Sequence, residues 1–124
     1  MSKRILIIDD EELVVRSLSN ALKRCGYEVT FAKRSEDAII LAEEEEYDLI
    51  ISDIRMPGLN GIETVRRIFE SLKDRNVNKM PTIFITGYAD EKLETEARSL
   101  NPKAYIHKPF DLEEFLKRVR VALT

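Results

Sequence analysis

The chain has no tryptophan, one cysteine and one histidine in 124 residues, and only four glycines and four prolines. A lone thiol, Cys25, rules out an internal disulfide framework and suits a reducing compartment, with the cytoplasm as the default expectation. With no second Cys and no companion His nearby in sequence, Cys25 carries no expectation of redox or nucleophilic chemistry. The longest apolar run is five residues, Ala38 to Ala42. That is far below the ~20 needed to cross a bilayer, so no membrane association is expected, and the run behind Lys3-Arg4 is too short for a signal peptide. Charge of one sign is also missing: 20 Lys and Arg stand against 23 Asp and Glu, a net charge of -3. That balance gives no electrostatic case for a nucleic-acid partner. Repeats, low-complexity tracts and internal linkers are absent as well, so residues 1–124 read as one domain, long enough for its own core.

What is present is alternation. Strand-like and helix-like segments follow each other five times, the pattern of a parallel sheet with crossover helices. Strands are expected at Arg4 to Asp9, Tyr27 to Ala32, Asp48 to Asp53, after Pro81, and at Lys103 to His107. Tyr27, Val29 and Phe31 alternate as on an edge strand, whereas Asp48 to Asp53 is apolar on both faces and belongs at the centre. The first helix, Glu11 to Cys25, is expected to bury Leu13, Val14, Leu18, Ala21 and Leu22, with Gly26 stopping it. The second runs from a Ser35 cap through Glu45 with Ala38, Ile39, Leu41 and Ala42 inward, and the acidic run Glu43 to Glu46 opposes the helix dipole and predicts fraying. Met56-Pro57-Gly58 and Asn60-Gly61 mark a loop before a third helix carrying Ile62, Val65, Ile68, Phe69 and Leu72, and Asn76 to Lys79 form a polar connection. A fourth helix from Ala89-Asp90 has a sparse stripe, Leu93, Ala97 and Leu100; the last, capped by Asp111, carries Leu112, Phe115, Leu116, Val119 and Leu123.

Four of these strands end in polar residues of a specific kind: Asp9-Asp10, Ser52-Asp53, Thr86 and His107-Lys108. In a parallel α/β sheet those carboxyl ends share one edge, the place where open sheets bind ligands. Three carboxylates converging there repel one another, so a cation must offset them or some must stay protonated. With only oxygen ligands on offer, a hard divalent metal is the natural cation.

Ile7-Ile8-Asp9-Asp10-Glu11, Asp53-Ile54-Arg55-Met56-Pro57-Gly58-Leu59-Asn60-Gly61, Thr86-Gly87-Tyr88-Ala89 and Tyr105-Ile106-His107-Lys108-Pro109-Phe110 resemble the four motif blocks of the receiver domain of bacterial two-component response regulators. The resemblance covers essentially the whole chain. It implies a three-layer, flavodoxin-like α/β fold: a five-stranded parallel sheet, order 2-1-3-4-5, with five helices. It also implies a phosphorylatable switch rather than a turnover enzyme, catalysing only its own phosphorylation and dephosphorylation. Asp53 would be the phosphoacceptor. Asp9, Asp10, Asp53 and the backbone carbonyl of Arg55 would hold Mg²⁺. Thr86 would hydrogen-bond the phosphoryl group and Lys108 would pair with it as a point charge. Lys108-Pro109 looks like the family's cis peptide, and Tyr105 like the aromatic that changes rotamer as Thr86 moves. Arg55 and Tyr88 correspond to the two side chains that overhang the phosphoryl group.

The partners implied are a sensor histidine kinase or phosphotransfer protein and a downstream effector domain or protein. Output would pass through the face of the fourth helix, last strand and last helix. The resemblance allows a phosphorylation-dependent dimer, although Leu100 to Ala104 lacks the Gly-Ala-Asp-Asp pattern of the winged-helix transcription-factor subclass. The residues taken singly also have structural readings. Acids after a strand suit a helix N-terminus, Asp53 can form a turn and Thr86 can satisfy local backbone. His107 reads as structural, since the donor histidine in this family sits on the kinase. The rival of a different class is a Mg²⁺-dependent phosphatase of the haloacid dehalogenase type, which also uses an Asp nucleophile. Its Asp-x-Asp-x-Thr motif is missing, because Arg55 stands two residues after Asp53. A receiver-shaped module that is not phosphorylated would lack one of the acids or Lys108, and none is lacking.

Overall fold

The computed structural model describes residues 2–75 and 80–124, and the expected polar connection Asn76 to Lys79 lies outside them. In chain order the elements are β1 (Arg4–Ile8), α1 (Glu12–Arg24), β2 (Glu28–Ala32), α2 (Ser35–Glu44), β3 (Leu49–Asp53), α3 (Gly61–Asp74), β4 (Thr82–Thr86), α4 (Glu91–Arg98), β5 (Ala104–His107) and α5 (Leu112–Ala122). The strands form one parallel sheet in the order β2-β1-β3-β4-β5. Every residue of β3 and β4 is buried, as two-sided burial in a parallel sheet requires, while β2 at the edge leaves Glu28 and Phe31 exposed.

Period-two alternation along the strands divides the core into two. Leu6, Ile8, Ile50 and Phe84 point to one face, where they meet Ala38 and Ala42 of α2, Ile62, Val65, Ile68, Phe69 and Leu72 of α3, and Ala97 of α4. Ile5, Ile7, Leu49, Ile51, Ile83 and Ile85 point to the other, against Val15, Leu18 and Leu22 of α1 and Phe115, Val119 and Ala122 of α5. The switch of face follows from one hand of crossover: β1 to β2 steps outward, β2 to β3 steps back across β1, and a helix keeping the same hand must then cover the opposite side. The reversal lies between β1 and β3, whose carboxyl ends carry Asp9-Asp10 and Asp53. Among the described residues no helix is long and apolar enough to cross a membrane.

Three expectations need correction. The buried stripe of α1 is Val15, Leu18, Ser19, Ala21 and Leu22, and Leu13 is 81% exposed. Helical spacing from Leu18 and Leu22 selects Val15, three residues before Leu18, and puts Leu13, more than half a turn further back, on the far side. Ser35 is not the cap of α2: Arg34 occupies that position without a side-chain bond, and Ser35, buried as the first helical residue, donates its hydroxyl to Glu36. Leu112 opens α5 half-exposed, beside Leu13 at the rim of a groove over Pro109 and Phe110. α2 stops at Glu44, one residue before the expected Glu45, inside the acidic run, and two arginines reach that end. Arg75 donates to the Glu43 carbonyl at 2.7 Å, and Arg4 donates to the Glu46 carbonyl and the Glu45 carboxylate at 3.0 Å each. Arginines from elsewhere in the chain thus supply the positive charge that the helix terminus lacks in its own sequence.

The start of α3 matters most for the site. Asn60 and Glu63 form a reciprocal capping box, fixing the helix N-terminus behind the end of β3. Gly61 is pressed so close that a Cβ there would overlap the Asp53 carbonyl oxygen, and its amide donates to the Ile54 carbonyl at 2.7 Å. Gly61→Ala should therefore lower unfolding free energy by about 2–4 kcal/mol despite alanine's better helix propensity. Denaturant titration against wild type would show it, and an unchanged midpoint would mean that the loop relaxes at no cost.

Candidate functional site

Each functional side chain is delivered by the end of a strand. Asp9 follows β1, Asp53 closes β3, Thr86 closes β4 and Lys108 follows β5. Carboxylate oxygens of Asp9, Asp10 and Asp53 all lie within 4.8 Å of one another. Asp9 and Asp53 are buried, at 2% and 6% exposure, and Asp10 faces solvent. Lys108 reaches in from the β5 side, its Nζ 3.7 Å from Asp9 Oδ2 and 3.7 Å from Asp53 Oδ2. The Lys108-Pro109 peptide is cis.

Backbone amides take up part of the remaining lone-pair capacity. Asp9 Oδ1 accepts from the Glu11 amide at 2.9 Å and Asp53 Oδ1 from the Ile54 amide at 2.9 Å. Each acid thereby keeps Oδ1 engaged with backbone and faces the lysine with Oδ2. Burial pushes the Asp53 carboxyl up to about 6, helped by the neighbouring Asp9 charge and opposed by Lys108. Asp9 is raised for the same first reason, burial, with the Glu11 amide and Lys108 pulling the other way. Burial works against the Lys108 ammonium, but Asp9, Asp53 and Glu11 together outweigh it and hold it above the ordinary lysine value. Three carboxylates against one ammonium leave the pocket electronegative. All its donors are oxygens, so the set fits a hard divalent cation such as Mg²⁺.

The remaining expected residues stand around this centre. The Thr86 hydroxyl accepts from the Tyr88 amide at 3.1 Å and donates to the Tyr88 carbonyl over a long 3.4 Å, a local turn that leaves its proton weakly used. Tyr105 lies away from the acids, on β5 beside Phe84. It is buried in the core, with its ring against the edge of His107 and under the Arg98 guanidinium. The Arg55 and Tyr88 side chains touch each other: the guanidinium carbon stands 4.1 Å from the ring centroid.

Sequence reasoning missed three residues. Glu11 accepts from Lys108 Nζ at 3.3 Å, closer than either buried acid, and Gly61 permits the close approach behind Asp53. Asp90 pairs with Arg55 at 3.7 Å while capping α4. Glu11 was visible only as one more acid at a helix start. Gly61 carried the one available signal, a glycine where a capped helix needs none.

Residues 5–120 match the family described as the response regulator receiver domain. The chain is 33% identical over 119 residues to the uncharacterized transcriptional regulatory protein YkoG of Bacillus subtilis, covering 96% of this chain and 50% of that protein. It therefore spans half the length of that relative. It is 32% identical over 120 residues to Protein PilH of Pseudomonas aeruginosa, covering 97% of each. Among solved structures, a CheY-like response regulator receiver domain protein from Methanospirillum hungatei superposes with a TM-score of 0.88 at 30% identity, covering 99% of this chain and 94% of that one.

A carboxyl whose folded-state pKa is raised stabilises the fold at low pH and loses that contribution as pH climbs through the folded value. For Asp53 the window runs from about 4 to above 6. Asp53→Asn should therefore be more stable than wild type at pH 7.5, on the order of 2–3 kcal/mol or several degrees in Tm, and the gap should close near pH 4. Thermal melts of both proteins across that range would check it. A gap independent of pH would mean that Asp53 titrates as an ordinary exposed carboxyl.

Proposed function

This chain belongs to the response regulator receiver domain family of two-component systems, and on that premise we propose that it is a phosphorylatable switch that takes a phosphoryl group on Asp53. The donor is a sensor histidine kinase or phosphotransfer protein. The supporting observation is the convergence of Asp53 with Asp9 and Asp10 within 4.8 Å, and with Lys108 at 3.7 Å, on one buried sheet edge. In the transfer, an Asp53 carboxylate oxygen forms the new bond to phosphorus as the donor's phosphorus–nitrogen bond breaks, and the electron pair leaves with the imidazole. With its pKa near 6, Asp53 is mostly ionised at neutral pH and able to attack. Lys108 pairs with the phosphoryl oxygens, and Thr86 turns its weakly held hydroxyl proton from the Tyr88 carbonyl toward them.

Asp9, Asp10, Asp53 and the backbone carbonyl of Arg55 would hold Mg²⁺. Bound there, the ion would supply positive charge that offsets the carboxylates and the incoming phosphoryl group. Mg²⁺ is the only cofactor in this reading. Among the described residues, these three acids are the group placed to hold a metal ion. The protein catalyses its own phosphorylation and dephosphorylation and nothing else. A phosphoryl group held by Thr86 and Lys108 draws on β4 and β5, so the signal leaves through α4, β5 and α5, with Tyr105 as reporter. Residues 1–124 act as one receiver domain in the cytoplasm, with a downstream effector domain or protein as partner, no direct nucleic-acid or membrane contact, and dimerisation on phosphorylation compatible with the fold.

Incubation with Mg²⁺ and acetyl phosphate should add one phosphoryl mass that is labile to acid and base. Chelation of the metal should block it, and Asp53→Asn should abolish it in intact-mass measurements. An equal mass gain in Asp53→Asn would move the acceptor elsewhere. Steady release of phosphate from a range of phosphomonoesters would favour the phosphatase reading instead.

A further inference from the structure

Arg55 and Asp90 come from different loops and meet above the sheet edge. Arg55 follows β3 by two residues and its guanidinium is 3.7 Å from Asp90 Oδ2. The same guanidinium stacks on Tyr88 at 4.1 Å. Asp90 is the N-cap of α4, its Oδ1 accepting from the Leu93 amide at 3.1 Å. Tyr88 is tied through its amide to the Thr86 hydroxyl at 3.1 Å. One half-exposed cation is thus held by an acid and an aromatic that both belong to the β4–α4 segment. The two contacts are individually weak, since exposed ion pairs and exposed cation–π contacts each hold their partners only marginally.

A phosphoryl group on Asp53 changes the competition for that cation. It adds a second, more concentrated anionic charge two residues from Arg55, with three terminal oxygens, two of which a guanidinium fork can match better than a single carboxylate oxygen at 3.7 Å. We propose that Asp90 is a positioning residue that holds Arg55 off the phosphoryl site in the resting protein, and that phosphoryl occupancy of Asp53 takes Arg55 from Asp90 and Tyr88. The exchange releases the β4–α4 segment from the β3–α3 loop. Arg55 is then a second link, beside Thr86, by which charge on Asp53 is felt at the N-terminus of α4. The inference rests on Asp53 being the phosphoacceptor.

The two claims separate in one experiment. Beryllofluoride with Mg²⁺ stands in for the phosphoryl group, and its affinity is followed by NMR in wild type, Asp90→Asn, Arg55→Gln and the double variant. Asparagine keeps a side-chain oxygen that can accept from the Leu93 amide, so Asp90→Asn should fold normally. With the ion pair gone, Asp90→Asn should bind beryllofluoride about two- to fivefold more tightly, because Arg55 no longer leaves a charged partner. On the Arg55→Gln background the same substitution should change affinity by less than about 1.5-fold, and this non-additivity is what a purely structural cap would not produce. In wild type, saturation should shift the Tyr88 ring resonances, and in Arg55→Gln it should leave them nearly in place. Equal tightening on both backgrounds would mean that Asp90 acts only through its long-range charge, and no tightening would mean that Arg55 never has to leave it. Either result overturns the exchange while leaving Asp53 as the acceptor. Absence of beryllofluoride binding in wild type, together with no mass gain from acetyl phosphate, overturns the acceptor reading and this one with it.

Discussion

The structure turns on the mutual repulsion of Asp9, Asp10 and Asp53. Two of these carboxylates are buried, and all three come within 4.8 Å. No packing argument favours that arrangement, because burying an ionised carboxylate without full compensation costs several kcal/mol. The fold tolerates it by partial measures. Each buried acid takes one backbone amide, Lys108 sits 3.7 Å from both, and the residual strain appears as carboxyls pushed upward. A site left undercompensated in this way could hold a cation, for which an internally neutral site would have no use.

The rest of the molecule can be understood as the frame that enforces this repulsion. Strands buried on both faces have one register each, because a one-residue slip would exchange the two apolar sets. Ile5 and Ile7 cannot trade places with Leu6 and Ile8 without moving Asp9 off the edge. Behind Asp53 the capping box of α3 and the absent side chain of Gly61 bring the helix N-terminus against the strand end. The acids are held together by apolar packing further along the same strands, and this packing is the larger energy.

The sheet and most of the site were legible because they depend on local signals. Each strand is a short apolar run ended by a polar residue, and strand ends at one edge bring their terminal residues together whatever their side chains prefer. Asp9, Asp10, Asp53 and Lys108 were therefore recoverable, and the order of the strands came with the resemblance. What was not legible depends on rotation and on long-range partners. Leu13 and Val15 are equally apolar, and only the phase of α1 against the sheet decides which one is buried. The partners of the acidic run Glu43 to Glu46 were not legible either, because Arg4 and Arg75, about 40 and 30 residues away in sequence, supply the positive charge missing there. Lys108 with Glu11 is a contact across 97 residues, which no spacing rule reaches.

Unequal anchoring of the helices decides where a change of charge at the edge can be expressed. α3 buries seven residues along its length and is fixed by a reciprocal cap, so it cannot yield without opening the core. α4 has eight residues and, among the described residues, Ala97 is the only one of them buried. Leu93 and Leu100 pack only partly against the core. Its N-terminus depends on Asp90, whose second oxygen is paired to a loop on the neighbouring strand. A perturbation of a kcal/mol or two at Asp53 is small against the packing of α3 and comparable to everything that positions the first turn of α4. In the proposed switch α4 is the compliant element because of what its sequence lacks: large apolar residues buried along its length.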